Sequence, residues 1–132
     1  MNQEQGYNGF RDLDSYKQAV ELRRLISEMT GSFPSHEKYH LTAQIIDSSR
    51  SVTRNIAEGY GRFTYTEKRN FFIIARGSVT ETMDHLDVAL DERYIVNEKH
   101  KLGQVKCELV FKLINGYIFY LDRCNQKSRK GK

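Results

Sequence analysis

The chain has 132 residues with one proline, no tryptophan and 29% charged residues, which is typical of a single soluble helical domain. No apolar run approaches the roughly 20 residues that a membrane span needs. The first residues lack the basic and apolar regions of a signal peptide, so we expect no membrane association and a cytoplasmic location. Cys107 and Cys124 are then expected to remain reduced thiols.

The formal net charge of +4 is concentrated at one end of the chain. Residues 125–132 alone carry +4, so residues 1–124 are close to neutral. We interpret residues 1–124 as a four-helix domain and residues 125–132 as a basic, disordered tail. Such a tail either contacts phosphates or only increases solubility, and the sequence leaves both readings open.

Apolar residues spaced three and four positions apart predict four helices joined by short links. The first helix begins near Asp12, a suitable N-cap, and stops at Thr30. The second runs from Ser35 to about Glu58. Gly59 is expected to adopt a left-handed conformation that closes helix two.

Helix three begins at a capping box formed by Thr64 and Glu67, and helix four runs from Asn97 to about Cys124. Gly77 lies within helix three, where a glycine costs about 1 kcal/mol relative to alanine, and it indicates close approach by another backbone. The sequence shows neither strand alternation nor an internal repeat. The predicted fold class is therefore all-α, an antiparallel up-down four-helix bundle.

Helix four carries two apolar stripes, although a helix in a small bundle needs to bury only one. The stripe expected to face the core contains Leu102, Val105, Leu109, Leu113, Gly116, Tyr117 and Tyr120. A second, heptad-like stripe leads us to predict a homo-oligomer. Its subunit contact is expected to contain Ile73, Ile74, Phe111, Ile114, Ile118 and Leu121. The alternative is that helix four lies at the centre of the bundle and buries both stripes.

The turn between helices two and three is the candidate nucleic-acid site. The run Tyr60-Gly61-Arg62-Phe63-Thr64-Tyr65 combines aromatic side chains with a cation, and such surfaces stack on bases. The candidate phosphate contacts are Arg50, Arg54, Arg62, Lys68 and Arg69. The alternative is that these aromatic side chains pack over the end of the bundle. Residues 81–92 are acidic and would repel phosphates, but could meet a basic patch on a neighbouring subunit.

Metal binding and catalysis have little support in this sequence. His36 and His40 have the spacing of half a metal site, but no third ligand is evident. Glu58 lies at the negative end of a helix dipole and is expected to pair with Arg54 or Arg62. We therefore predict no metal, no cofactor and no enzymatic activity.

Two motifs carry a resemblance to a known family. Asn55-Ile56-Ala57-Glu58-Gly59 and Ala75-Arg76-Gly77-Ser78 occur in a familiar order. From Phe10 to Tyr120, the chain resembles the four-helix-bundle proteins first noticed in intervening sequences of bacterial 23S ribosomal RNA genes. The structural motif of the resemblance comprises Asn55, Glu58, Gly59, Gly77 and Ser78.

The resemblance implies a homopentamer with no established enzymatic activity. The family is similar in fold to the accessory variability determinant of diversity-generating retroelements, which binds nucleic acid and reverse transcriptase. By analogy of fold, we expect a non-enzymatic oligomer whose ligand is nucleic acid or a nucleic-acid-handling protein. The alternative is a structural homo-oligomer, or scaffold, with an unknown protein partner.

Overall fold

The computed structural model describes residues 9–131, and within them the chain forms α-helices and short 3-10 turns without a strand. The long helices are α1 (Asp14–Met29), α2 (Leu41–Tyr60), α3 (Tyr65–Asp91) and α4 (Asn97–Lys130). The 3-10 turns are Gly9–Asp12, Thr30–Ser32 and Ser35–Glu37. The predicted all-α four-helix bundle is therefore confirmed.

Each helix packs on two neighbours, so that α2 lies between α1 and α3, and α4 lies between α3 and α1. Side-chain hydrogen bonds define the antiparallel register of α3 and α4. Arg69 Nε donates to Asp122 Oδ1 at 2.8 Å, and Arg76 Nη1 donates to Asn115 Oδ1 at 2.7 Å. Residue numbers therefore increase along α3 in the direction in which they decrease along α4. The start of α3 and the end of α4 consequently lie at the same end of the bundle.

The core lies between the four helices and is almost entirely aliphatic. Burial of each large apolar side chain contributes about 1.5–3 kcal/mol before entropy is considered. Phe72 is the largest of the side chains with no exposed surface. The other fully buried large residues are Leu22, Ile26, Ile45, Val52, Ile56, Val79, Leu86, Val110 and Ile114.

The helix ends differ from the predicted ones where local hydrogen bonds offer an alternative to the helix. Asp12 belongs to a 3-10 turn, so α1 begins at Asp14 with Leu13 as its N-cap. The segment Ser35–Glu37 is a separate 3-10 turn, and α2 begins only at Leu41. There the Glu37 carboxylate accepts a hydrogen bond from the Leu41 amide at 3.1 Å, which satisfies a donor at the start of α2.

Helix α4 does not end at Cys124 but continues to Lys130. The residues predicted to form a disordered tail are therefore helical up to that position. Three of them, Lys127, Arg129 and Lys130, occupy the last turn, where cations interact favourably with the helix dipole. Residues 1–8 and Lys132 belong to the predicted domain and tail but lie outside the described residues.

Candidate nucleic-acid interface

The family-like motif of α2 and α3 forms a polar seam where these two helices meet. Ser51 and Ser78 share a hydrogen bond of 2.8 Å between their Oγ atoms, and Ser48 and Thr82 share one of 2.7 Å. Asn55 Nδ2 donates to both the Ser51 carbonyl and Ser51 Oγ at 2.9 Å. These short side chains satisfy one another and let the helices approach closely. The seam is therefore a structural element of the bundle.

Gly59 has a role that differs from the predicted one. It lies inside α2, which continues to Tyr60, and the positive backbone φ angles among residues 9–131 occur only at Gly9 and Arg93. A β-carbon at Gly59 would lie 2.9 Å from Phe71 Cβ and 3.1 Å from the Lys68 carbonyl oxygen. Gly59 is therefore required by the close contact between α2 and α3, and not by a left-handed turn.

The candidate cations at the α2–α3 turn (residues 61–64) are held within the fold. Arg62 forms an ion pair with Glu58 at 2.8 Å, and its guanidinium lies 4.7 Å from the centre of the Phe71 ring. Lys68 Nζ donates to the Tyr60 carbonyl at 2.7 Å, which satisfies an acceptor at the end of α2. Arg69, as described above, holds Asp122 of α4.

Arg50 and Arg54 lie apart from this group. Both are exposed on the outer face of α2, and neither forms an ion pair with another residue in 9–131. Arg50 is ten residues from the end of α2, a distance of about 15 Å along the helix axis. The five predicted cations therefore form a group of three at the end of the bundle and a pair along α2.

The end of α4 adds cations that sequence reasoning did not assign to this site. Because Arg69 faces Asp122 and Tyr65 lies four positions before Arg69, the start of α3 lies opposite residue 126. The last helical turn of α4, residues 127–130, thus extends beyond the start of α3. We define the basic end as Arg62, Lys68, Arg69, Arg123, Lys127, Arg129 and Lys130. The absence of glycine and proline between Cys124 and Lys130 was the available sequence signal for this helical extension.

A cluster of tyrosines also lies at this end. The Tyr117 ring stacks on Phe72 with centroids 4.5 Å apart, and the Tyr120 ring follows at 5.4 Å from Tyr117. Burial raises the pKa of Tyr117 to about 12, with smaller contributions from nearby Tyr120 and Tyr60. Tyr65 contributes more weakly to the raised pKa of both Tyr117 and Tyr120. The tyrosine cluster, Tyr60, Tyr65, Tyr117 and Tyr120, joins the α2–α3 turn to α4.

The structure exchanges the two apolar stripes of α4. Ile114, Ile118 and Leu121 were predicted to contact another subunit, but they are 0%, 3% and 1% exposed in the core of the protomer. The stripe predicted to face the core is instead largely on the surface. We define the outer face of α4 as Leu102, Val105, Leu109, Gly116 and Tyr120, all of which are exposed.

Small residues decide which face of α4 turns inward. Gly103 and Cys107 lie on the buried side, and a β-carbon at Gly103 would lie only 2.9 Å from Leu86 Cδ1. On this side the helix approaches Leu86 and Met29 closely. Of the other predicted interface residues, Ile74 is exposed, whereas Ile73 and Phe111 are partly buried against the core.

The close approach predicted at Gly77 has no counterpart inside the protomer. This residue is exposed, and a β-carbon added to it would meet no atom within 4 Å. It lies on the outer side of α3, together with exposed Ile74 and Val88. An exposed glycine in the middle of a helix therefore remains without an internal packing reason.

The candidate metal ligands do not come together in the described part of the chain. Within residues 9–131, no three His, Cys, Asp or Glu side chains are placed to hold a metal ion. His36 lies beside Tyr94, whose hydroxyl is 3.4 Å from His36 Nε2. Burial raises the pKa of Cys107 to about 12, so this cysteine is a thiol and not a reactive thiolate at neutral pH. No helix in the described part of the chain is long and apolar enough to cross a membrane.

Comparison with known proteins agrees with the fold. A solved structure of a protein of unknown function, from the S23 ribosomal protein family of Bacteroides thetaiotaomicron, is similar with a TM-score of 0.72 and 20% sequence identity. The match covers 79% of this chain and 97% of that chain, and at this identity it shows the fold alone. No curated protein matches the chain. The sequence profile of the 23S rRNA-intervening sequence protein family matches residues 11–116. The chain therefore belongs to the 23S rRNA-intervening sequence protein family.

Proposed function

We propose that the chain is a non-enzymatic binding module that assembles as a homo-oligomer and binds nucleic acid at its basic end. The observation that carries this proposal is the convergence of cations from the α2–α3 turn and from the last turns of α4. Arg123, Lys127 and Lys130 form no ion pair with another described residue, so folding leaves their charges available. Phosphate groups are the natural counterpart of such a surface.

A salt titration of RNA binding tests this proposal. The affinity should fall steeply as salt rises, because each phosphate contact releases counterions. Lys127→Glu combined with Lys130→Glu should lower both the affinity and its salt dependence. Lys99→Glu combined with Lys101→Glu, at the opposite end of α4, is the matched control and should change neither. Failure of the unmodified protein to bind RNA at low salt would contradict the proposal.

Self-association would use the outer face of α4. This face exposes apolar side chains from Leu102 to Tyr120, a length of about 27 Å along the helix. A closed ring needs two different contact surfaces on every subunit. The outer side of α3 supplies a second, with exposed Ile74 and with Gly77, whose missing side chain would admit a neighbouring backbone. The resemblance to the family implies five subunits.

Two substitutions in α4 separate assembly from folding. Leu109→Glu, on the outer face, should reduce the size of the particle in sedimentation velocity while the circular dichroism remains helical. Ile118→Glu, on the inner face, should unfold the protein, because it buries an unpaired carboxylate in the core. A stable 15.5 kDa particle at micromolar concentration for the unmodified protein would contradict self-association.

A scaffold that binds a protein partner is the second candidate function. It is favoured by the acidic half of α3, where Glu81, Asp84, Asp87, Asp91 and Glu92 are all exposed. This surface would repel phosphates and suits a basic partner or a neighbouring subunit. An oligomer that binds no RNA would favour this alternative. A reducing compartment such as the cytoplasm suits both functions, because Cys107 and Cys124 are unpaired.

A further inference from the structure

We propose that the basic end recognises unpaired bases, so that its ligand is a single-stranded nucleic acid. This inference rests on the nucleic-acid binding proposed above and specifies the class of ligand. It depends on exposed aromatic side chains that lie among the cations of the basic end. Bases stack on aromatic rings, and such stacking contributes substantially to the binding of single strands.

The most exposed aromatic side chain of this end is Phe63. It lies in the α2–α3 turn directly after Arg62 and is 94% exposed. The core of the bundle does not use this ring, so its apolar surface is left in water. Tyr65 follows at the first position of α3 and is also exposed. The sequence predicted either base stacking or packing over the bundle end, and the exposure of Phe63 favours stacking.

A second aromatic surface lies on α4 beside the same end. Phe119 is 62% exposed and lies one helical turn before Arg123. It is three residues from Asp122, which is hydrogen-bonded to Arg69 near the start of α3. Tyr120, the next residue, lines a groove with Arg123 and Lys127. The rings of Phe119 and Tyr120 thus lie about one helical turn before Arg123, so aromatic side chains and cations are neighbours on α4, as they are in the α2–α3 turn.

This arrangement suits a single strand better than a duplex. In a duplex the bases are stacked on one another, so their faces cannot reach Phe63 or Phe119. A duplex laid along the bundle would also meet the acidic half of α3, whose carboxylates repel phosphates. A flexible single strand needs only the basic end, where it can place phosphates on cations and bases on rings.

Binding of short labelled oligonucleotides, measured by fluorescence anisotropy at low salt, tests the inference. The probes are a 12-nucleotide oligouridine, the same strand paired with oligoadenosine, and an abasic strand of equal length. We expect the single strand to bind more tightly than the duplex and the abasic strand. Phe63→Ala should weaken single-strand binding by about 5- to 150-fold and leave abasic-strand binding unchanged.

Tyr39→Ala is the matched control. Tyr39 is an exposed aromatic residue beside a cation, Lys38, but it lies at the opposite end of the bundle. Its removal should leave the affinity for the single strand unchanged, and both variants alter only exposed side chains, so both should fold. Phe119→Ala provides a second test on a different helix and should also weaken single-strand binding.

The outcomes distinguish this inference from the proposed function. Equal or tighter binding of the duplex, or unchanged single-strand affinity in both Phe63→Ala and Phe119→Ala, would overturn the recognition of unpaired bases. Binding that is still weakened by Lys127→Glu with Lys130→Glu would then leave the proposed function intact, with phosphates alone as the ligand. Absence of binding to every probe would overturn both.

Discussion

The two ends of the bundle use their polar side chains in different ways. At the end formed by the α1–α2 and α3–α4 links, several polar side chains bond to one another. Tyr94 donates to Glu37 at 2.8 Å, Ser32 donates to the Tyr94 carbonyl at 2.8 Å, and His100 contacts Asp87 at 2.8 Å. We call this end, with the α1–α2 link (residues 30–40) and the α3–α4 link (residues 92–96), the acidic end. At the basic end, the cations of the last turns of α4 have no such partners among residues 9–131.

This difference separates groups that close the fold from groups that remain available for a ligand. The links of the acidic end are longer and irregular, and their backbone is fixed by side-chain hydrogen bonds. The α2–α3 turn at the basic end is only four residues long, and the packing of Gly59 against α3 fixes its course. Arg69 links α3 to α4 at the basic end, whereas the cations of the last turns of α4 make no such link among residues 9–131.

Among substitutions that compare the two ends of the bundle, Gly59→Ala should produce the largest change in stability. The new β-carbon would approach Phe71 and the Lys68 carbonyl, so we expect a loss of about 1–3 kcal/mol in the free energy of unfolding. Gly31→Ala, at the acidic end, is the control because no atom lies within 4 Å of its β-carbon. Urea unfolding of both variants gives the comparison. Equal losses in the free energy of unfolding of the two variants would show that the close contact between α2 and α3 does not stabilise the basic end.

Acid should weaken the acidic end first. The Leu41 amide and then the Tyr94 hydroxyl donate to Glu37 and lower the pKa of its carboxyl from 4.5. Its stabilising contribution is then present above about pH 4.5 and is lost as pH falls through the lowered pKa of the folded state. Tyr94→Phe removes one of the donors and should make stability less dependent on pH in this range. Urea-unfolding midpoints of Tyr94→Phe and the unmodified protein between pH 3 and 6 give the comparison. The same pH dependence of stability in both proteins would contradict the role assigned to the Tyr94–Glu37 hydrogen bond.

The Glu58–Arg62 ion pair at the basic end should contribute little to stability. Both side chains are almost half exposed, and exposed pairs one helical turn apart typically contribute about 0.3–0.5 kcal/mol. Glu58→Gln should therefore reduce the free energy of unfolding by no more than this amount. It should also release Arg62, and a modest increase in RNA affinity measured by anisotropy would follow. Lower RNA affinity would mean that Glu58 positions Arg62 for its ligand.

A similarly small effect on stability is expected from the unpaired cations. Arg123→Gln with Lys127→Gln removes charges that make no ion pair among the described residues, so thermal and urea unfolding should change by less than about 0.5 kcal/mol per residue. The same variant should bind RNA more weakly. A loss of stability comparable to that of Gly59→Ala would place these cations among the groups that hold the fold.

The sequence was sufficient for the bundle because its apolar periodicity and its turn residues agree. Thr64 is the N-cap of α3, and its side chain accepts a hydrogen bond from the Glu67 amide at 3.1 Å, as the capping box predicted. The buried stripe of α2, which includes Ile45, Val52 and Ile56, also lies where the spacing indicated. Such local signals act within one or two helical turns, and they can be read without knowing the neighbours of a helix.

The orientation of α4 could not be predicted in the same way. Its two stripes are similarly apolar, so hydrophobic periodicity alone does not choose between them. The choice depends on the fit of Gly103 against Leu86 and Met29, which belong to other helices. The basic end was predicted only in part for a related reason, because Arg123 and Lys127 join it through the register of α3 and α4. Neither contact can be recognised from the pattern of apolar and polar residues within one helix.

The extension of the last turn of α4 beyond the start of α3 has a consequence for assembly. If copies meet through the outer face of this helix, the last turns of α4 from several copies come close together. Their positive charges then repel one another and oppose association. A polyanion bound across several copies would neutralise this repulsion, so ligand binding and oligomerisation become thermodynamically linked. The oligomer should then dissociate more readily at low ionic strength, where salt screens the repulsion least. Addition of a polyphosphate should restore the oligomer without any change in the contacts between its helices.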